Sequence, residues 1–445
     1  MQSKSSPKLR IAICGGGIGG LTLANALVSP SVHIDVYEAA SQFGEIGAGV
    51  GLSLRTLRVY EMMGLKEGLE SIGGKQPEKT AHLPFRCYRA HTGVAEPFKP
   101  PYVGAGPVTV HRAELHNMLF RKLPEAVHVH TAKRLVSYFH PNDPASPVTL
   151  RFADDTDATC DVLIGADGIK SVVRAGMLEE LARCAEGAGN TREAAELRVN
   201  IPPRYSGCTT YRAMYRMSDK TRDISPSQDS APGELYVGKN RMIIAYPVSQ
   251  GSARLINVAG TSINPSRAGE LHPEPWVAEV DPAEMIEGYR GWAPEVQEIL
   301  QAVKLEGGHV KKWVVNVVGP LSAFAHGRVA LLGDAASAPL AHGMTHFHGA
   351  GAGQAVEDAY MLRELLLDPR TTAANAQQAL QVYSRLRAPI AEFVQKASYE
   401  NGLVYSGRPL EGELEKTQVA MAAFVSEDPV EDAKKALAML YGARL

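Results

Sequence analysis

The sequence predicts an α/β protein in two domains: a Rossmann-like nucleotide-binding domain interrupted in sequence and a second, mostly antiparallel β-sheet domain. A C-terminal helical segment follows them. Three observations carry the prediction. Residues 10–38, RIAICGGGIGGLTLANALVSPSVHIDVYE, read as a βαβ unit. Residues 205–317 turn to β-type runs punctuated by Gly, Pro and Asn. Strand, glycine turn and helix then return from Arg328, so the first domain resumes after the second.

In the opening unit, Leu9 to Cys14 is an apolar run ending in glycines, Leu21 to Val28 has helical spacing, and Val32 to Tyr37 is β-rich. Gly15, Gly17 and Gly20 fit G-x-G-x-x-G: one for the tight turn, one for backbone close to a pyrophosphate, one for helix against strand. A diphosphate would sit on the helix N-terminus, where free N–H groups and the dipole favour anions. Glu38 closes the second strand and would accept hydrogen bonds from ribose hydroxyls. A carboxylate there repels a 2′-phosphate, so the dinucleotide is FAD or NAD and not NADP. An ordinary glycine turn would not place strands, helix and acid at these offsets.

With 445 residues and 45% apolar content, the chain can bury the cores of two domains. A formal net charge of −2 gives no general attraction for nucleic acid or an acidic membrane, so neither is expected as a partner. The lead MQSKSSPK has no apolar signal core, and no run approaches the roughly twenty apolar residues of a membrane span. A cytoplasmic monomer or homodimer is expected. Ala443-Arg444-Leu445 is a conservative variant of a peroxisomal address, against which an ordinary terminus is the simpler reading. Cys14, Cys87, Cys160, Cys184 and Cys208 are scattered, which speaks for a reducing compartment and against a zinc site or a dithiol reductase.

After Glu38, the glycines at 44, 47, 49 and 51, with Ala48 among them, suggest backbone against a flat ligand, and a helix follows from Ser53 to Met63. LPFRCYRAHTGVAEPF reads as a hairpin that leaves the nucleotide domain. The chain returns through VTVHRAEL, where Arg112 stands between a strand and a helix from Ala113 to Leu123, either neutralising a pyrophosphate or lying on the surface. Val148 to Phe152 and Cys160 to Ile164 read as strands around a DDTD turn, the second running into GADGIKSVVR. Asp167-Gly168 with Lys170, Ser171 and Arg174 repeats the opening logic of a helix N-terminus over phosphate, with a plain N-cap as the alternative for Asp167. Leu178 to Arg198 is read as an exposed helix or loose insertion.

CTTYRAMYRM, ELYVGKNRMIIAYPV and ARLINVAGTS then build the second sheet, followed by helix over Asp281 to Val303 and a strand over Lys311 to Val317. Arg328 to Leu332 is a strand with Gly333-Asp334 at its end, and Gly349 to Gly353 leads into a helix from Gln354 to Leu367. From Ala373 on the chain is helical. The expected division is 1–75, 106–176 and 325–395 for the nucleotide domain and 76–105 with 200–324 for the substrate domain. Residues 177–199 form an insertion and 396–445 the terminal helices.

GGGIGGLTLANAL with VYE, VHRAEL, LIGADGIKSVVR and RVALLGDAA with GAGAGQAVEDAYML, in this order, resemble the class A FAD-dependent aromatic hydroxylases, most closely their salicylate hydroxylase-like branch. The resemblance implies a GR2-type FAD domain in which Gly15, Gly17, Gly20 and Glu38 hold the ADP half. Arg112 would be the flavin-site arginine, Asp167 with Gly168 the motif shared by FAD and NAD(P)H, and Asp334 the acid on the ribityl chain. Gly351 and Ala352 would lie by the isoalloxazine, and Ala48 would be a further FAD contact. The implied reaction reduces FAD with NAD(P)H, captures O2 as a C4a-hydroperoxide and transfers OH to an activated ring. The substrate is then a small phenol or a salicylate-type acid, the latter with decarboxylation.

Arg212 and Tyr246 lie where the branch places substrate-facing side chains, the first to stabilise a phenolate or carboxylate and the second to hydrogen-bond beside it. Relatives carry a Pro-His-Gln-like step before the GAGAG run, with the histidine as candidate base. Here His346-Phe347-His348 stands there, and Ser337 to Ala341 look inserted. His342, His346 or His348 is the candidate base, with Arg212 alone as the alternative. No metal is assigned, since nothing near these histidines completes a ligand set. Leu54-Arg55 replaces a frequent Pro-Asn step, which implies a reshaped flavin-edge loop. The alternatives to a phenol hydroxylase are an FAD-dependent epoxidase or oxidative tailoring enzyme, and a flavin-binding protein without turnover.

Overall fold

The computed structural model describes the chain except residues 1–8, 44–48, 74–84, 99–107, 142, 144–145, 219–220, 222–232, 251–252, 338–349, 410 and 443–445. In chain order it begins β1 (Leu9–Cys14), α1 (Ile18–Ala26), β2 (Val32–Tyr37), β3 (Gly49–Leu52), α2 (Leu54–Met62), α3 (Lys66–Ser71). Next come β4 (Phe85–Arg89), β5 (Glu96–Phe98), β6 (Val108–His111), α4 (Arg112–Arg121), β7 (Val127–His130), β8 (Leu135–Phe139), β9 (Val148–Phe152), β10 (Asp157–Cys160), β11 (Val162–Gly165). They are followed by α5 (Val172–Gly187), α6 (Thr191–Val199), β12 (Arg204–Arg216), β13 (Gly233–Gly238), β14 (Arg241–Gln250), β15 (Ala253–Ile263), β16 (Val277–Val280), α7 (Pro282–Gly288) and α8 (Pro294–Leu305). The chain closes with β17 (Val310–Val317), β18 (Ala325–His326), β19 (Val329–Leu331), α9 (Ala350–Leu366), α10 (Ala376–Tyr405), α11 (Glu413–Phe424) and α12 (Pro429–Tyr441).

One six-stranded sheet, in the order β18-β19-β11-β1-β2-β7, is parallel apart from the β18/β19 pair. It joins strands from the first third of the sequence to strands beyond residue 324, so the predicted interruption is real. Its central strands β1, β11 and β19 are nearly all apolar because the sheet is covered on both faces there, and Ile11, Ile13, Leu163 and Ile164 are buried, as are Ile34 and Val36 of β2. The eight-stranded sheet runs β16-β17-β12-β15-β14-β13-β4-β5 and is antiparallel except between β13 and β4. One of its faces packs Ala213, Tyr215, Ile243 and Val258 on α7 and α8. The other gathers Cys208, Ile244, Ala259 and Val315 with Tyr399 and Tyr405 of α10. The hairpin β4–β5 belongs to this sheet, as its sequence implied.

Four expectations are refined. The strand expected over Cys160 to Ile164 divides: Cys160 ends the β8–β9–β10 sheet, and at Asp161 the chain steps into the parallel sheet. The Asp161 carboxylate fixes that step by accepting the Arg10 backbone N–H at 2.8 Å and its guanidinium at 2.7 Å. Residues 178–198 are not loose but lie in two helices packed through Ala182, Ala185 and Ala194. Asp281 to Val303 breaks at Gly291, whose φ of +80° suits glycine alone, and buries Trp292. α10 runs unbroken through residue 396, where a division was expected. Among the described residues no helix is long and apolar enough to cross a membrane.

Candidate active site

The three glycines of the opening loop separate into three physical roles. Gly15 has φ +112°, and a Cβ there would stand 2.2 Å from the Ala166 carbonyl oxygen. A Cβ on Gly20 would stand 2.0 Å from the Gly15 oxygen, so α1 approaches its strand only because position 20 lacks a side chain. A Cβ on Gly17 would meet nothing within 4 Å. Gly17 is also the N-cap of α1 and brings no side-chain hydrogen bond, so the helix presents its first N–H groups to open space. Glu38 sits on the rim of this loop, accepting from Gly16 N at 2.7 Å and Ala40 N at 2.8 Å. An uncapped helix end, free room above it and a carboxylate at its rim fit the adenosine diphosphate half of FAD.

Asp167 ends the neighbouring turn differently. Its Oδ2 accepts from Val172 N at 2.8 Å and Val173 N at 3.2 Å, and its Oδ1 from the Ser171 hydroxyl at 2.5 Å. The carboxylate therefore helps close the N-terminus of α5 from the turn before its N-cap, Ser171, and Gly168 follows Asp167 with φ +74°. Burial pushes the Asp167 carboxyl above its usual range, against the pull of these donors. Arg174 is buried, donating to Ile169 O at 2.5 Å and Ala335 O at 3.1 Å. Burial pulls its guanidinium down to about 10, while Asp167 and Asp334 work in the other direction.

Asp334 stands in the 3-10 turn after β19. Gly333 before it, at φ +59°, donates its N–H to Asp358 Oδ2 at 3.0 Å. The other oxygen of Asp358 takes Arg387 Nε at 2.6 Å, and Arg387 also bonds Glu357 and Gln354 at 3.2 and 2.8 Å. Gly351 opens on free space, since a Cβ there would meet nothing within 4 Å, and Ala352 packs on the α2–α4 core. Arg55 is buried between Glu357 (3.0 Å) and Asp432, with the Phe424 ring at 4.6 Å, and ties α2 to the terminal helices.

Arg212 and Tyr246 are brought together across β15. Arg212 pairs with Ala259 and Tyr246 with Asn257, so all four rise from the sheet face opposite α7 and α8. The Arg212 Nε is sealed from solvent, and the guanidinium lies 5.8 Å from the Trp313 ring centroid. Burial lowers the Arg212 pKa, Tyr246 opposes that, and the charge of Arg112 adds to the lowering. Burial raises the Tyr246 hydroxyl, against Arg212 and a hydrogen bond with Asn257. The charge of Arg112, the first residue of α4, thus bears on Arg212. Sequence reasoning missed Asn257, Trp313, Asp358 and Arg387. A polar Asn inside the apolar run RLINVAG was the one available signal. Ala48, His342, His346 and His348 lie outside the described residues.

These features define a dinucleotide-binding α/β protein with a second, mostly antiparallel sheet carrying an Arg/Tyr pair. The FAD binding domain family matches residues 8–215. The chain is 35% identical over 415 residues to the FAD-dependent monooxygenase str9 of Strobilurus tenacellus, covering 89% of each. It is 33% identical over 410 residues to a salicylate hydroxylase of Pseudomonas putida, covering 90% of this chain and 86% of that one. A solved salicylate hydroxylase substrate complex superposes with a TM-score of 0.76 at 28% identity, over 97% of this chain and 98% of the other. The chain belongs to the class A FAD-dependent aromatic hydroxylases, in their salicylate hydroxylase-like branch.

Proposed function

We propose that this protein hydroxylates a small phenol or salicylate-type acid with NAD(P)H and O2. The observation that carries this reading is the pairing of a half-buried guanidinium, its Nε sealed from solvent, with a half-buried phenol on one sheet face, Arg212 beside Tyr246, with Arg112 near. FAD, its ADP half held by Gly15, Gly17, Gly20 and Glu38, would carry electrons from NAD(P)H to O2, so that one oxygen atom of O2 enters the ring and the other leaves as water. The chain must make the ring electron-rich and keep water out. A partly desolvated Arg212 favours the anionic form of a substrate phenol or carboxylate, and a phenolate directs electron density into the ring. Tyr246, held by Asn257, donates to the same oxygen, and Trp313 walls the site.

Replacing Arg212 with Gln should lower kcat/KM by roughly 30- to 1000-fold, the loss expected for a buried charged hydrogen bond of about 2–4 kcal/mol. FAD retention should be unchanged, and steady-state oxidation of NAD(P)H is the measurement. His346 and His348 are the alternative proton acceptors. If proton removal runs through them, His346→Gln with His348→Gln abolishes the acid limb of the pH–rate profile that Arg212→Gln leaves in place.

The reading is tested by mixing purified yellow protein with NADH or NADPH in air and adding a panel of phenols and benzoates. Ligand-stimulated NAD(P)H oxidation with hydroxylated product is the expected result. Stimulation by alkenes or polyketides alone would make the protein an epoxidase or tailoring enzyme, and FAD that binds without being reduced would make it a binding protein.

A further inference from the structure

The edge of the parallel sheet carries a side-chain group that the reaction above does not use. β2 and β7 pair with Asp35 opposite His128 and Tyr37 opposite His130. His33, Asp35, His128 and His130 therefore rise from one face. Ile34, Val36 and Val127 point the other way into the core and fix the two strands. Three imidazoles converge on one carboxylate: His33 Nε2 lies 2.9 Å from the Asp35 carboxylate, His130 Nε2 2.8 Å and His128 Nδ1 3.8 Å. The His33 and His128 rings meet edge to face at 4.8 Å. One donor atom each from His33, Asp35 and His128 lie within 4.8 Å of one another.

A second His/carboxylate group shows what a closed arrangement looks like. Glu180 takes His140 at 3.3 Å and His326 at 3.5 Å, but the other ring nitrogen of His140 accepts the Arg328 N–H at 3.2 Å. That lone pair is already spent. At the sheet edge the side chains of His33 and His128 are 35% and 53% exposed, so a cation can reach them.

We propose that His33, Asp35 and His128 bind one divalent transition-metal ion of the Zn2+ class, with His130 holding the carboxylate in place. Two imidazole nitrogens and a carboxylate oxygen suit Zn2+, Ni2+ or Cu2+, whereas Mg2+ and Ca2+ select all-oxygen sets. Bonds of about 2.0–2.2 Å require the donors to draw in by a side-chain rotation, and water completes the shell. The imidazole of His130 hydrogen-bonds to the ligating carboxylate and so orients it. In the sequence H-x-D and H-x-H stand far apart, and only the parallel pairing of β2 with β7 joins them.

The test uses the full, FAD-loaded chain made without a polyhistidine tag, stripped with a chelator and titrated calorimetrically with ZnCl2. One equivalent should bind with micromolar or tighter affinity near pH 7.5 and at least tenfold more weakly near pH 5.5, because protons compete for the imidazole lone pairs. His128→Gln, at the most exposed ligand, and His33→Gln/His128→Gln should each weaken binding at least tenfold while keeping the flavin spectrum. His342→Gln/His346→Gln/His348→Gln should leave it intact, and Mg2+ should give no heat. The proposal is overturned by the absence of saturable binding up to millimolar Zn2+. It is equally overturned by an equivalent that survives His33→Gln/His128→Gln, or by one that disappears only in the His342/His346/His348 variant.

Discussion

Two strand–turn–helix units lie side by side in the parallel sheet, and they end in opposite ways. β1 and β11 are neighbours in register from Ile11 with Val162 to Cys14 with Gly165, and each turns through glycine into a helix. At α1 the N-cap is Gly17, which has no side chain to meet the helix N–H groups. At α5 the N-cap is Ser171, whose hydroxyl accepts from Arg174 N at 2.8 Å, and Asp167 accepts from two more N–H groups. One helix end is left without a cap from its own N-cap residue, as an anion site requires; the other is satisfied by the chain itself. A glycine at a strand end therefore says little. Whether an acceptor side chain precedes the helix is what separates a binding turn from a closed one. The second turn also shapes the first, because the Ala166 carbonyl occupies the space a side chain on Gly15 would need.

The comparison breaks most severely at Gly15. Gly15→Ala drives a Cβ into the Ala166 carbonyl at a φ of +112°. Overpacking of about 1–3 kcal/mol and backbone strain of about 1–2 kcal/mol should together cost about 3 kcal/mol or more. The expected outcome is little folded, yellow protein, read from soluble yield and thermal midpoint.

Gly17→Asp sharpens the contrast by turning the first unit into the second. Gly17 has an extended backbone, φ −74° and ψ −176°, which any residue adopts, and open space around it. An Asp there should cap α1 and stabilise the apoprotein by about 0.5–1 kcal/mol. The same carboxylate stands where the diphosphate binds, so FAD affinity should fall at least a hundredfold. Apoprotein melting and fluorescence titration with FAD measure the two opposed effects. A Gly17→Asp protein that stays yellow would mean that α1 is not the anion site.

The opposite fates of the two turns explain what could be read beforehand. The glycine loop and Glu38 were legible because all their constraints fall within thirty residues and have fixed offsets. The interrupted sheet was legible from the return of the same pattern after Arg328. The closure of α5 by Asp167 was not decided by sequence, since Asp at such a position serves equally as cap or as ligand-site residue. Asn257, Trp313 and the Asp358–Arg387 pair were hidden because cross-strand register and helix packing place them, and neither is written locally. The partners of Arg55, Glu357 and Asp432, were hidden for the same reason, since they lie hundreds of residues away.

The smallest expected effect tests the closed turn itself. Asp167→Ala removes the acceptor for Val172 N and Val173 N and should cost about 0.5–2 kcal/mol, as other lost caps do. Asp167→Asn keeps an acceptor oxygen and loses the charge, which makes its pH dependence informative. Burial raises the folded-state pKa of Asp167 above its unfolded value. The stability from this raised pKa is fully present below the unfolded pKa, about 3.9, and is lost as pH rises through the folded one. The Asn variant never ionises there. Its thermal midpoint relative to the unsubstituted protein should therefore climb as the pH rises from about 4. FAD affinity in both variants should change by less than tenfold, since α5 spends its N–H groups on the chain. A loss of FAD from Asp167→Asn as large as that from Gly17→Asp would show that both helix ends serve the ligand, and the two turns would then be alike after all.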